Sequence, residues 1–248
     1  MNLGIEAVSA VSALDLLAYA PPGWGATLLA GLLNSIAIAL GAYALGFSVG
    51  ICGAFGKLYG GPITKDLLAV YTTIVRAVPE LVLILILYYA FTGLLNQTLI
   101  SWGFDRVQIS PILTGIVVLG VVQGAYQTEV LRGGILAVPA GQIEAARAMG
   151  MPPLLLARRI TLPLMTANAL PGLANLWLNA TKDTALLAVI GFSELTKATY
   201  QASATTKAFF VFYPAAMCLY LMISLTSTAI IHRIEKWARR GQRDVRGG

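Results

Sequence analysis

The sequence predicts an all-α integral membrane protein with five transmembrane helices, and three observations predict it. Only 11% of the 248 residues are charged while 57% are hydrophobic, against about 25% charged in an ordinary soluble domain. So few charges cannot cover a water-facing surface. Residues 26–52, 67–92, 111–129, 166–190 and 208–231 each supply an apolar stretch of roughly the 20 residues needed to cross about 30 Å of hydrocarbon. The cations are also unevenly distributed. Lys57, Lys65, Arg132, Arg147, Arg158, Arg159, Arg233, Lys236, Arg239, Arg240, Arg243 and Arg246 follow the first, third and fifth stretches. Only Arg106, Lys197 and Lys207 lie in the other connections. Cytoplasmic loops carry the Lys/Arg excess, which predicts the N-terminus outside and the C-terminus inside. The net charge of +6 therefore reports orientation and attraction to membrane lipid, not nucleic-acid binding.

Residues 1–22 contain Glu6 and Asp15 but no Lys or Arg, so they lack the positive start of a signal peptide. They read as a periplasmic segment, either an interfacial helix or a tail. The transmembrane domain runs over 23–232, with a cytoplasmic loop at 133–165 and a basic tail at 233–248. Glycines in the first and third spans suit close helix packing in lipid. Cys52 and Cys218 read as packing residues, without a disulfide or metal site. In the second span, Arg76 and Glu80 are spaced i, i+4 on one helix face and can pair, with Pro79 kinking the helix between them. That pair either lines a solute pathway or neutralises itself structurally.

In the third span, Gln123, Tyr126 and Gln127 are candidate lining residues. Glu129 falls about 18 residues in, roughly 27 Å at 1.5 Å per residue, beside Arg132, and reads as an ion pair anchoring the loop. The loop itself reads as two short helices. Gln142 to Met149 forms the first and Gly150 caps it with positive φ. Pro152-Pro153 opens the second, which has an apolar face of Leu154, Leu155 and Leu156, and Pro163 ends it. Such a knob is shaped to enter a groove on a partner. In the fourth span, Asn175, Asn179, Lys182 and Asp183 share one face, as ligand lining or as helix–helix hydrogen bonding. Trp177, Tyr88 and Tyr89 read as packing aromatics. Single His232 has no second metal ligand near it, and no catalytic constellation stands out.

Glu144-Ala145-Ala146, Gly150, Ile160, Leu162 and Pro163 have the spacing of the signature loop of permease subunits in bacterial ABC importers, and the chain resembles that family. Further likeness, to its polar amino-acid branch of histidine, lysine–arginine–ornithine and opine permeases, is carried by 71–80 (Tyr-Thr-Thr-Ile-Val-Arg-Ala-Val-Pro-Glu), 124–134, 137–142 and 182–186. The resemblance covers about 26–232. It implies a type I importer (MetI-like) permease fold in the bacterial inner membrane. It also implies an ATPase dimer gripping the seven loop residues through a coupling helix at about 142–156, a second permease, favoured as a distinct chain, and a periplasmic binding protein. The implied cargo is polar or basic amino acids or opine-like derivatives, moved from periplasm to cytoplasm. The chain has no G-x-x-x-x-G-K-[ST] loop, so it is a transport subunit without a cofactor of its own. ATP and Mg would be used by the partner. An ion-gradient-driven secondary transporter is the alternative, and it would show internal repeats with broken helices. A channel would show a filter sequence.

Overall fold

The computed structural model describes residues 12–106 and 110–238, and every regular element among them is helical. Helix α1 (Ala13–Leu17) is short and held by a capping box. The Ser12 hydroxyl accepts from the Asp15 amide at 3.1 Å, and the Asp15 carboxylate accepts from the Ser12 amide at 3.0 Å. The Ser12 hydroxyl also donates to the Asp15 carboxylate at 2.7 Å, and this bond together with the Ser12 amide holds the Asp15 carboxyl below its usual range. Leu16, Leu17 and Trp24 then fold back onto a core of Leu28, Leu195 and Phe212. This segment packs against the bundle, whereas residues 1–11 of the expected periplasmic segment lie outside the described residues.

Helix α2 (Gly25–Tyr59) and helix α5 (Pro111–Leu136) form the spine. Glycines let their backbones meet: a Cβ on Gly50 would sit 2.9 Å from Gln127 Cβ, and one on Gly124 would sit 2.7 Å from Val49. The expected close packing of the first and third spans is therefore present. Around α5 lie α3 (Pro62–Ala77), α4 (Glu80–Ser101) and α8 (Leu162–Asp183). The core between them holds Ile38, Ile84, Leu119 and Leu187.

After α8, a 3₁₀ segment (Thr184–Ile190) leads into α9 (Leu195–Thr206) and α10 (Phe209–Ala238). Helices α2, α4, α5 and α10 are long and apolar enough to cross a membrane. Helix α8 has 22 residues but carries Asn168, Asn175, Asn179, Lys182 and Asp183. The outer faces of α4 and α10, with Ile86, Phe210 and Met217 exposed, match lipid in polarity.

Three expectations are corrected. The second apolar stretch is two helices, because Val78 and Pro79 are both extended (ψ 140 and 133). Proline disfavours helical geometry in the residue before it, so the chain breaks where a kink was expected. The fourth stretch is α-helical only to Asp183 and 3₁₀ beyond. Cys52 and Cys218 are exposed on this chain and not packed in its core.

Overfilling the α2–α5 contact should cost stability. Gly50→Leu should destabilise the detergent-solubilised protein by about 1–3 kcal/mol, read as a lowered thermal midpoint with helix content unchanged at low temperature.

Candidate functional site

The break at Val78–Pro79 decides where the charged residues go. Arg76 occupies the last turn of α3 and Glu80 the first turn of α4, each at the helix end whose dipole favours its sign. The two are no longer one turn apart on one face. Among the described residues the ion pairs are Lys57–Glu129, Arg132–Glu129 and His232–Glu235, so the expected Arg76–Glu80 pair is not formed. Glu80 instead faces Tyr126 of α5 and Asp183 of α8, with Arg76 within electrostatic range of Tyr126.

Asp183 is the hub of this cluster. Gln123 donates to its carboxylate at 3.1 Å, and Lys182 adds a neighbouring positive charge. Lys182 and Asn175 are exposed on the chain, while Asn179 is half-buried. The structure thus gathers Arg76, Glu80, Gln123, Tyr126, Lys182 and Asp183, with Asn175 and Asn179 further back along α8. Gln127, another lining candidate, is withdrawn: it is buried and donates to the Tyr43 carbonyl at 3.3 Å. Among the described residues the side-chain oxygens of Gln123 and Gln127 have no donor. Trp177 packs edge-on against Tyr43 at 5.5 Å and Tyr88 against Phe192 at 5.7 Å, as packing aromatics do.

At one end of the bundle, the loop forms α6 (Ala140–Ala148) and α7 (Pro153–Leu156). Helix α6 starts two residues earlier than Gln142, because Pro139 serves as its N-cap. Gly150 has φ +72, as a helix-ending glycine should. Pro152 and Pro153 lead into α7.

Pro163 does not end that helix. A π turn (Ala157–Thr161) joins α7 to α8, and Pro163 stands in the first turn of α8. Widening the turn makes room for the ring and for the missing N–H. Glu144, Ala145, Gly150, Leu162 and Pro163 are exposed, Ile160 is half-buried, and Ala146 packs inward. Met149 and Leu154 stand out at 85% and 83% exposure. A groove of about 330 Å³ runs between Ile143, Met151 and Leu156 on one side and Phe55 and Met165 on the other.

Two carboxylates tie helices together. Glu129 pairs with Arg132, as the sequence indicates, and also with Lys57 of α2, which reads in sequence as a loop charge. Glu194 carries no sequence signal beyond a polar residue preceding a short helix. It is wholly buried, caps α9 by accepting from the Lys197 amide at 2.7 Å, and accepts from Tyr220 at 3.0 Å and Ser35 at 3.3 Å. The Lys197 ammonium goes elsewhere, to the Gly191 carbonyl at 2.6 Å. Among the described residues no group of three metal-ligating side chains occurs, and His232 meets Glu235 at 3.4 Å.

This bundle is the fold of a type I ABC importer permease. The profile of the binding-protein-dependent transport system inner membrane component family matches residues 42–240, and the chain belongs to that family. The chain is 38% identical over 233 residues to the octopine transport system permease protein OccQ of Rhizobium radiobacter, covering 93% of this chain and 98% of that one. It is 36% identical over 214 residues to the histidine/lysine/arginine/ornithine transport system permease protein HisQ of Salmonella typhimurium, covering 86% and 94%. Among solved structures, an amino acid ABC transporter crystallised with histidines matches with a TM-score of 0.75 and 27% identity, over 92% of this chain and 99% of that one. The protein is thus an inner-membrane transport subunit and not an enzyme, and its family works with an ATPase and a binding protein. A secondary transporter finds no support.

Removing the Glu194 carboxylate should strand the Lys197 amide and take an acceptor from the hydroxyls of Ser35 and Tyr220, which keep Leu195 and Thr196 as partners. Glu194→Ala should cost about 1–3 kcal/mol, and Glu194→Gln less, compared as thermal midpoints in the same detergent.

Proposed function

We propose that this permease moves cationic or other polar amino acids, or opine-like derivatives of them, from periplasm to cytoplasm. The observation that carries the reading is the convergence of Glu80 and Asp183, beside Gln123 and Tyr126, with Arg76 and Lys182 at the same site. A carboxyl pair complements a substrate's cationic groups, and Arg76 or Lys182 its carboxylate. Asn175 and Asn179 extend the polar track. The names of the octopine and histidine/lysine/arginine/ornithine relatives agree with such cargo.

Arg76, Asn175 and Lys182 are exposed on the isolated chain, although a charge facing hydrocarbon costs about 2.5–3.5 kcal/mol at a helix centre. That face therefore turns to a second permease, and the likeness to the histidine-type branch favours a distinct chain. In this reading α8 is the fifth span, with the N-terminus outside and the coupling loop in the cytoplasm. The exposed side of α6 and the turn at Gly150 dock the ATPase dimer, with Glu144, Ala145, Ala146, Ile160, Leu162 and Pro163 shaping the contact. ATP and Mg are bound and used by that partner, and the binding protein delivers cargo at the opposite end.

Two measurements test this. Asp183→Asn keeps an oxygen for Gln123 but removes the charge. It should lower uptake of radiolabelled arginine or octopine by at least about tenfold, equivalent to ~1.4 kcal/mol, with membrane insertion intact. Undiminished uptake would overturn the substrate reading. Gly150→Asp places a side chain at φ +72 and a charge at the docking turn. Affinity pull-down from mild detergent should then lose the ATPase while recovering the second permease.

A further inference from the structure

We infer that Lys57 and Glu129 are positioning residues of the transport cycle, forming a separable latch that ties α2 and α3 to the coupling loop. The Lys57 ammonium donates to Glu129 Oε1 and to Thr72 Oγ1, the latter at 2.7 Å. On its other oxygen, Glu129 accepts from Arg132 Nε at 3.0 Å and from a terminal guanidinium nitrogen at 2.9 Å. The carboxylate joins the last turn of α2 to the last turns of α5, and the Lys57 ammonium carries the link on to the middle of α3. Each of those elements leads to a part of the machine. Helix α5 runs on through Leu136 to α6, and α3 runs from Thr72 to the break beside Glu80.

The two cations are not equivalent. Arg132 lies on the same helix as Glu129, three residues on, and stays with it whatever the other helices do. Lys57 comes from across the bundle. If the last turn of α2 swings away with α3, while the contacts at Gly50 and Gly53 keep the rest of α2 on α5, Glu129 keeps its guanidinium and no bare carboxylate is left behind. Lys57 and Glu129 side chains are 15% and 16% exposed, so water can reach the parted ammonium. A single buried pair would resist opening, because breaking it leaves an uncompensated charge. The spare cation makes the joint breakable, as a two-state element must be. Closed, it transmits displacement of the coupling loop to α3 and hence to the broken segment at Val78–Pro79.

The inference rests on the coupling role proposed for 142–163, and the test separates the two. The complete complex, with ATPase subunits and binding protein, is reconstituted in proteoliposomes. Substrate imported per ATP hydrolysed is then compared for wild type, Lys57→Met, Lys57→Arg and Thr72→Val. Lys57→Met should retain ATPase binding and basal hydrolysis but lower the import ratio about tenfold, within the usual range of allosteric coupling. Lys57→Arg should restore the ratio, which a loss of packing alone would not predict. Thr72→Val, which removes one hydroxyl, should lower it in the same direction by less. A wild-type ratio in Lys57→Met overturns the latch. If Lys57→Met does not assemble, a wild-type ratio in Thr72→Val overturns it instead. Loss of ATPase binding in Gly150→Asp bears only on the coupling reading. Retained binding there, with a lowered ratio in Lys57→Met, leaves the latch standing and removes the docking model.

Discussion

The close approach of α2 and α5 is the contact on which the other features depend. Inside hydrocarbon there is little hydrophobic force between helices, so packing and interhelical hydrogen bonds must hold them. Gly50 and Gly124 let the two backbones come near enough for side chains from one helix to reach the main chain of the other. Gln127 reaches the Tyr43 carbonyl in this way, and the Lys57 side chain meets the Glu129 carboxylate. Larger residues at the glycines would hold these groups apart. The positions of α3, α4 and α8 follow, because all three pack on the α5 surface that α2 leaves free.

Polar groups at membrane depth are then sorted by whether a neighbour on the same chain can satisfy them. Glu194 and Glu129 are satisfied within the chain and act as joints between helices. Asp183 is satisfied in part by Gln123, and its surroundings of Arg76, Lys182 and Glu80 open to the outside of the subunit. Thus the same solvation rule separates carboxylates closed within the chain from those that open at its surface. The helix break at Val78–Pro79 serves this division. It ends α3 with a cation and starts α4 with an anion, so each meets a helix dipole without neutralising the other.

Much of this was legible in the sequence. Apolar length and glycine content mark the spans, because those properties are local. Gly150 announces its φ, and Glu129 announces Arg132 at i+3. The two short helices between Pro139 and Leu156 are readable because their prolines and Gly150 act locally. What was hidden depends on distant partners. Pro79 signals a distortion, but only the fit of Glu80 beside Asp183, a hundred residues away in sequence, is served by two extended residues in place of a kink. Pro163 signals a helix end, yet the π turn accommodates it. Glu194 draws its donors from Ser35 and Tyr220, on helices remote from it in sequence, and no local pattern encodes that meeting.

The π turn at Ala157–Thr161 has one more consequence. Because α7, the turn and α8 form an unbroken helical rod, a push on the knob travels along it with no slack loop to absorb it. A π turn holds a residue in excess of an α turn. Passing that residue along the rod would screw α8 by about 100° and advance it by about 1.5 Å. The carboxylate of Asp183 would sweep away from Gln123, and another side of the rod would face α5. The wide turn therefore holds the one surplus residue whose relocation would change the register of the whole of α8.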